Sequence, residues 1–156
     1  MRAKLLLAIA ACFGLSACGA GAPASMAKQE TRVVINPIIW FEIPVADMDR
    51  AVRFYEGLFG FKLERTRIDG YDMALYPRHD GAAGSSGALA KGDVYVPGKT
   101  GAVLYFDVAD IDAVLARATA AQARILYPKK DIGALGYVAE IEDSEGNRIA
   151  LSEARA

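Results

Sequence analysis

A five-residue segment that occurs twice places the strongest constraint on the fold of this chain. Residues 45–49 read VADMD, and residues 108–112, 63 positions further along, read VADID. Each copy follows an apolar run and precedes residues with helical spacing, so a strand, a tight turn and an amphipathic helix are predicted around each. A strand-turn-helix unit that is repeated within 156 residues indicates a duplicated architecture.

Both units continue in the same order, as one strand, one helix and three further strands. In the first unit, Asp47 is predicted to cap the helix and Gly60 to end it. In the second, Asp110 caps a helix that runs to about residue 120. Neither unit can bury its sheet alone, so we predict an α+β fold of two tandem βαβββ modules around a shared core, with the helices outside. The predicted strands cover residues 38–45, 61–68, 71–76 and 88–90, then 102–108, 124–127, 137–141 and 148–152.

Charge and composition exclude several classes of function. The formal net charge is -1 and the basic residues form no stripe, so nucleic acid is not an expected partner. The sequence contains no Walker loop, dinucleotide fingerprint or zinc motif. The length suits one domain with a sizeable core.

The N-terminus resembles a bacterial lipoprotein leader. Arg2 and Lys4 precede an apolar run over residues 5–15, as in a signal peptide. Residues 15–18 (LSAC) then resemble the lipobox, in which the cysteine is lipidated and becomes the mature N-terminus. We therefore predict a signal peptide over residues 1–17 and lipidation of Cys18.

This leader determines the predicted location and the thiol chemistry. Residues 18–35 are expected to form a lipidated, flexible tether, so the membrane is reached through the lipid anchor only. Gly19 after the cysteine implies, among lipoproteins, the periplasmic face of the outer membrane as the place in the cell envelope. Ordinary cleavage is the alternative and would give a soluble periplasmic or secreted protein. Because Cys12 lies in the leader and Cys18 carries lipid, the folded domain has no disulfide or cysteine nucleophile.

Several motifs together resemble one known family. They are residues 41–48 (FEIPVADM), 53–55 (RFY), 59–60 (FG) and 143–149 (DSEGNRI). These are similar to motifs of the vicinal oxygen chelate (VOC) superfamily, which includes glyoxalase I, bleomycin resistance proteins and extradiol dioxygenases. The resemblance implies a VOC domain over residues 36–156, with modules at about 36–98 and 99–153. It also implies that mixed sheets curl into a cup, often completed by a homodimer.

Enzymes of this family hold a divalent metal in the cup through side chains on four strands. By register, the resemblance places these ligands at Trp40, Val103, Ala150 and a position within residues 88–90 (ALA). None of these side chains binds a metal. The chain also has one histidine, His79, whereas an iron site with two histidines and one carboxylate needs two. We therefore predict no metal and no cofactor.

The alternation of side chains along a strand predicts which residues face the cup. Trp40 and Glu42 share one face of the first strand, Tyr105 lies on the equivalent face of the second module, and Arg148 completes the predicted ligand-binding set. Glu42 lies among apolar residues, where a raised pKa would suit a general base, so it is also the candidate catalytic residue. The alternative is a structural ion pair of Glu42 with Arg148 or another arginine. Further candidates for the rim of a pocket are Tyr71, Tyr95 and Tyr137.

These sequence features are compatible with three functions. The leading one is a lipid-anchored envelope protein that binds a small organic molecule in a metal-free cup. The second is a glyoxalase-like lyase or isomerase that is metal-independent, or has a displaced metal, and uses Glu42 as acid and base. The third is an interaction module without a pocket.

Overall fold

The computed structural model describes residues 38–155. The predicted signal peptide (1–17), the lipidated tether (18–35) and Cys18 lie outside the described residues. Within residues 38–155, neither helix has the length and apolar character needed to cross a membrane.

The described residues form two modules with the same order of elements. The first contains β1 (Trp40–Pro44), α1 (Met48–Phe59), β2 (Glu64–Ile68), β3 (Tyr71–Leu75) and β4 (Ser86–Lys91). The second contains β5 (Leu104–Asp107), α2 (Ile111–Ala120), β6 (Ile125–Asp131), a short 3-10 helix (Gly133–Leu135), β7 (Tyr137–Glu142) and β8 (Arg148–Glu153). Each module has one four-stranded mixed sheet, in the orders β1-β4-β3-β2 and β5-β8-β7-β6. The predicted α+β fold of two tandem βαβββ modules is confirmed.

Two strands differ from their predicted extent by three or more residues at one end, and the others by at most two. The strand predicted from residue 61 begins at Glu64, because the backbone N–H of Leu63 donates to the Glu56 carboxylate (3.0 Å) instead of joining the sheet. The strand predicted to end at residue 127 continues through Pro128 to Asp131. Pro128 is tolerated because β6 is an edge strand, where the missing N–H need not join a ladder.

Both predicted helix caps are present, but the two helices end differently. Asp47 accepts a hydrogen bond from the Arg50 N–H (3.0 Å), and Asp110 accepts one from the Ala113 N–H (3.1 Å). α1 ends at Gly60, whose φ of 80° is the left-handed conformation that glycine adopts without strain. After α2, the left-handed position is occupied by Gln122 with a φ of 61°.

Replacing Gln122 by glycine is expected to stabilise the protein by about 0.5–1 kcal/mol, because a side chain in the left-handed region is strained and glycine is not. The gain is smaller than the full strain because glycine also loses more chain entropy on folding. Urea unfolding of the two proteins measures the difference. A loss of stability in Gln122→Gly would show that contacts of the glutamine side chain outweigh its backbone strain.

One hydrophobic core joins both modules. It contains the inner faces of α1 and α2 and one face of each sheet, with Tyr55, Leu89, Ile111 and Leu151 among its most buried side chains. Phe106 of the second module packs against Phe59 of the first at a ring-centroid distance of 4.6 Å. The predicted shared core is therefore confirmed.

A polar turn between β7 and β8 also ties the second module to the first. The carboxylate of Glu145 accepts the backbone N–H of Asp47 (2.9 Å) and the Nε–H of Arg50 (2.7 Å). Burial alone would raise the pKa of Glu145, but the Arg50 guanidinium and the backbone donors outweigh it and hold the pKa below its ordinary value. The start of α1 is thus fixed against the second module by a charge-assisted contact.

Candidate functional site

The predicted site residues lie on the sheet face that points away from the hydrophobic core, which we call the cup face. On β1, Ile43 is buried in the core and Phe41 packs against it. Because side chains alternate along a strand, Trp40 and Glu42 lie on the opposite, solvent-exposed face. The predicted facing of these two residues agrees with the structure.

Glu42 is held by two aromatic donors. Trp40 donates from Nε1 to one carboxylate oxygen (3.1 Å), and the Tyr95 hydroxyl donates to the other (2.6 Å). The hydrogen bond to Glu42 raises the pKa of Tyr95 to about 12, with smaller contributions from burial and from the carboxylate charge. The structure therefore gives Glu42 neither the predicted arginine partner nor an apolar, buried setting, since its side chain is exposed.

Tyr95 is a functional candidate outside the predicted ligand-binding set. It lies in the connector between the modules, and its ring meets the edge of Tyr71 at a centroid distance of 5.2 Å. Both rings pack on Met73, Ala88 and Ala90, a small apolar cluster separate from the main core. The sequence shows Tyr95 only as one of three tyrosines in strand starts or loops, because its contact with Glu42 spans 53 positions.

In the second module, Tyr105 and Arg148 lie on the cup face. Tyr105 is 58% exposed and lies between Leu104 and Phe106, which pack against the core. Arg148 makes a two-pronged contact with Glu140 on the neighbouring strand, at 2.9 Å from Nε and 2.7 Å from Nη2. The guanidinium is therefore oriented by its own sheet rather than by Glu42.

Two cavities border these residues. One, of about 380 Å³, is lined by Glu42 and Arg148 together with connector residues 96–98. The other, of about 410 Å³, is lined by Tyr105 and Ser86, among others. Leu104 contributes to both cavities. The structure thus brings Glu42 and Arg148 to one cavity and Tyr105 to its neighbour, while Trp40 contacts Glu42 from outside both linings.

The strand register locates the fourth metal position that the family resemblance implies. Glu42 pairs with Ala88 in the first sheet, and Tyr105 pairs with Ala150 in the second. Since Glu42 and Tyr105 occupy equivalent positions of the repeat, Ala88 is the equivalent of Ala150. An indole at Trp40, an isopropyl group at Val103 and two methyl groups offer no metal donor.

Other donors do not supply a replacement site within residues 38–155. No group of three or more His, Cys, Asp or Glu side chains there could hold a metal ion. His79 lines a separate cavity of about 260 Å³, formed almost entirely by the loop between β3 and β4. The residues that the structure describes therefore do not fit the divalent metal of the family's enzymes.

Comparison with solved structures identifies proteins of the same fold. The structure of TnmS3, an antibiotic binding protein from Streptomyces sp. CB03234, is 26% identical and matches 80% of this chain and 100% of that chain, with a TM-score of 0.61. A glyoxylase/bleomycin resistance protein/dioxygenase domain from Frankia sp. EAN1pec is 20% identical, with coverages of 78% and 100% and a TM-score of 0.61. Trypanothione-dependent glyoxalase I from Leishmania major is 21% identical, with coverages of 76% and 86% and a TM-score of 0.56.

A search of curated protein sequences finds no match. The sequence model of one family, however, matches residues 37–151, which includes both modules. Together with the repeated βαβββ order, this match establishes that the chain belongs to the Glyoxalase/Bleomycin resistance protein/Dioxygenase superfamily.

Proposed function

We propose that this chain is a lipid-anchored envelope protein that binds a small organic molecule in a metal-free cup, without a cofactor. Lipid on Cys18 would be its only link to a membrane, at the periplasmic face of the outer membrane, and a homodimer would complete the cup. The observation that carries the binding proposal is the pair of neighbouring cavities that share Leu104, one with Glu42 and Arg148 in its walls and the other with Tyr105. A concave site with a few oriented polar groups is typical of small-molecule recognition.

Two further observations support binding. The side chains that border the cavity are oriented before any ligand arrives, Glu42 by Trp40 and Tyr95 and Arg148 by Glu140. Such preorganisation reduces the entropy lost when a ligand binds. The 26% identity to a protein described as antibiotic-binding supports an organic ligand over a macromolecular one.

The enzyme alternative has less support. A lyase or isomerase that used Glu42 as acid and base would need a carboxyl group shielded from water, and Glu42 is exposed. A displaced metal would need a cluster of donors, and residues 38–155 do not provide one. The third alternative, an interaction module without a pocket, conflicts with open cavities of about 380 and 410 Å³ beside the predicted residues.

Ligand binding to the full-length chain can be followed by tryptophan fluorescence, because Trp40 is its single tryptophan. The neutral fluorophore N-phenylnaphthylamine is expected to quench Trp40 emission in a saturable titration. Tyr105→Ala is expected to weaken this binding about tenfold, because an exposed aromatic wall is lost. Tyr127→Ala is the matched control, since Tyr127 is also partly exposed but lies in neither cavity lining. Equal affinities of the wild type and Tyr105→Ala would contradict a binding site at the cup face.

Glu42→Gln separates binding from catalysis. Affinity for the neutral fluorophore should change little, whereas an enzyme that relied on Glu42 would lose its activity. Loss of the carboxylate should also return the pKa of Tyr95 from about 12 toward its ordinary value of 10.0, since the hydrogen bond to a charged acceptor and the charge itself are gone. Ultraviolet titration of tyrosinate measures this change. One additional tyrosine ionising near pH 10 verifies that the variant removed the contact and kept the fold.

A further inference from the structure

A cavity larger than those that border Glu42 and Tyr105 lies beside the helices. Its volume is about 560 Å³, and its walls come from α1, the turn after α2 and the turn after β7. Three arginines, Arg50, Arg53 and Arg124, line it together with the ring of Phe54. It shares no lining residue with the two cavities that border Glu42 and Tyr105.

The internal repeat allows this cavity to be compared with a cavity at a related place in the other module. A related cavity of about 410 Å³ lies between α2 and the end of α1 and is lined by Phe59, Phe61 and Ala113, among others. Ala113 is the repeat equivalent of Arg50, and Ala116 is the equivalent of Arg53. The related groove contains one arginine, Arg117 at the repeat position of Phe54, and its Nε–H donates to the Leu58 carbonyl (2.7 Å). The fold itself therefore does not require three arginines in this groove.

Arg124 also differs from its counterpart. It is the second residue after left-handed Gln122, as Lys62 is the second residue after left-handed Gly60. Lys62 pairs with Glu56 of its own helix at 2.6 Å. The repeat equivalent of Glu56 is Thr119, which carries no charge. The cation after α2 therefore lacks the helix carboxylate that neutralises the cation after α1.

The acidic groups around the cavity are already engaged. Glu145 pairs with Arg50 at 2.7 Å. Glu142 lies 4.0 Å from Arg124, but the same oxygen is 2.7 Å from Lys99. The buried carboxylate of Asp143 accepts hydrogen bonds from Tyr55 and from the neighbouring turn.

Arg53 is the cation left without a carboxylate. Among the described residues it has no ion pair within 4.0 Å, and its side chain borders the cavity. Arg124, whose contact with Glu142 is 4.0 Å long and is shared with Lys99, adds a second guanidinium group beside the same aromatic residue, Phe54. Guanidinium groups bind carboxylates and phosphates through paired N–H donors.

From this arrangement we propose that the cavity binds a small organic anion, a carboxylate or phosphate attached to an apolar group. Arg53 and Arg124 contact the charged end, and Phe54 contacts the apolar part. Arg50 is already paired with Glu145, so it is not a primary ligand. This site is independent of the proposed function of the cup face.

Calorimetric titration of the full-length chain with phenyl phosphate, at constant ionic strength, tests the proposal. Saturable binding with one site per chain is expected, and benzoate should compete for it. Arg53→Gln and Arg124→Gln should each weaken binding about tenfold, as expected when a charge-assisted contact is removed. Both side chains are exposed, so the variants should melt at the temperature of the wild type.

Arg67→Gln is the matched control, because Arg67 is also exposed and, among residues 38–155, its side chain donates a hydrogen bond only to the Gly70 carbonyl on the β2–β3 hairpin. Its affinity for phenyl phosphate should equal that of the wild type. Two results would overturn the proposal: no saturable heat with the wild type, or equal loss of affinity in Arg67→Gln and the two cavity variants. The second would indicate attraction by overall charge rather than a site.

Discussion

Replacing Asp143 by alanine is expected to lower the free energy of unfolding by about 3–5 kcal/mol, close to the whole stability of many small domains. Asp143 is 5% exposed and accepts hydrogen bonds from the Tyr55 hydroxyl (2.7 Å) and from the backbone N–H groups of Glu145 (2.9 Å) and Asn147 (2.8 Å). The side-chain amide of Asn147 is a fourth donor (2.9 Å). Alanine would leave several donors without a partner in the protein interior.

Asp143 belongs to the second module and Tyr55 to the first, so the loss of stability in Asp143→Ala would arise at the interface between the modules. Tyr55 is fully buried in α1, and burial, with the nearby Tyr76 and Asp143, holds its pKa well above the ordinary value. The phenol therefore stays protonated and remains a donor at neutral pH. Asn147 in turn donates to the carbonyl of Pro44 (2.9 Å), at the end of β1. Asp143 thus orients a turn that holds two modules together.

Urea unfolding monitored by circular dichroism measures the effect of Asp143→Ala. Asp143→Asn should cost less, because the amide keeps the shape and one acceptor oxygen. Tyr55→Phe should cost about 1–2 kcal/mol, since it removes one of four donors and leaves the carboxylate solvated by the others. If Asp143→Ala lowered the free energy of unfolding by less than about 1 kcal/mol, Asp143 would contribute no more than an ordinary residue of a surface turn.

Gly87→Ala is expected to destabilise the protein by about 3 kcal/mol or more. Gly87 is buried on β4 and pairs with Phe41 on the parallel strand β1. A β-carbon at this position would lie 2.1 Å from the Phe41 carbonyl oxygen and 2.7 Å from its ring. The obstacle is strand backbone, which cannot move without breaking the ladder that positions Trp40 and Glu42.

Gly57→Ala is the control, and the expected change has the opposite sign. Gly57 lies in the last turn of α1, it is exposed, and a β-carbon there would meet no atom within 4 Å. Alanine should stabilise the helix by about 0.5–1 kcal/mol, because glycine costs more chain entropy in a helix. Chemical denaturation of both variants tests the pair. Equal stability of Gly87→Ala and the wild type would mean that β1 and β4 lie further apart than the ladder indicates.

The structure also shows contacts of two predicted site residues that the sequence does not reveal. The sequence places Glu42 among apolar neighbours and suggests either a shielded base or an ion pair with an arginine. In the folded chain, strand alternation turns Phe41 and Ile43 to the core side and leaves Glu42 exposed, with Trp40 and Tyr95 as its donors. Arg148 pairs instead with Glu140, which is eight residues away across the β7–β8 hairpin.

What the sequence determined by itself was local and repeated. The signals that predicted the elements each span a few positions: the capping aspartates 47 and 110, the apolar periodicity and the turn residues. Because these signals recur after 63 positions, they were enough to predict two βαβββ modules and the faces of Trp40, Glu42 and Tyr105. The same signals could not show the ends of β2 and β6, which depend on a contact with Glu56 and on the place of β6 at a sheet edge.

The tertiary structure alone decided which of these residues share a site. The donor to Glu42 comes from the connector, the cavity beside it combines β1 with β8, and the arginine-lined cavity combines three segments distant in the chain. Side-chain contacts of this kind depend on how the two modules pack, and packing is set by the sum of many weak interactions rather than by any local pattern. The positions of single side chains therefore follow from the folded core, whereas the order of the elements follows from the sequence.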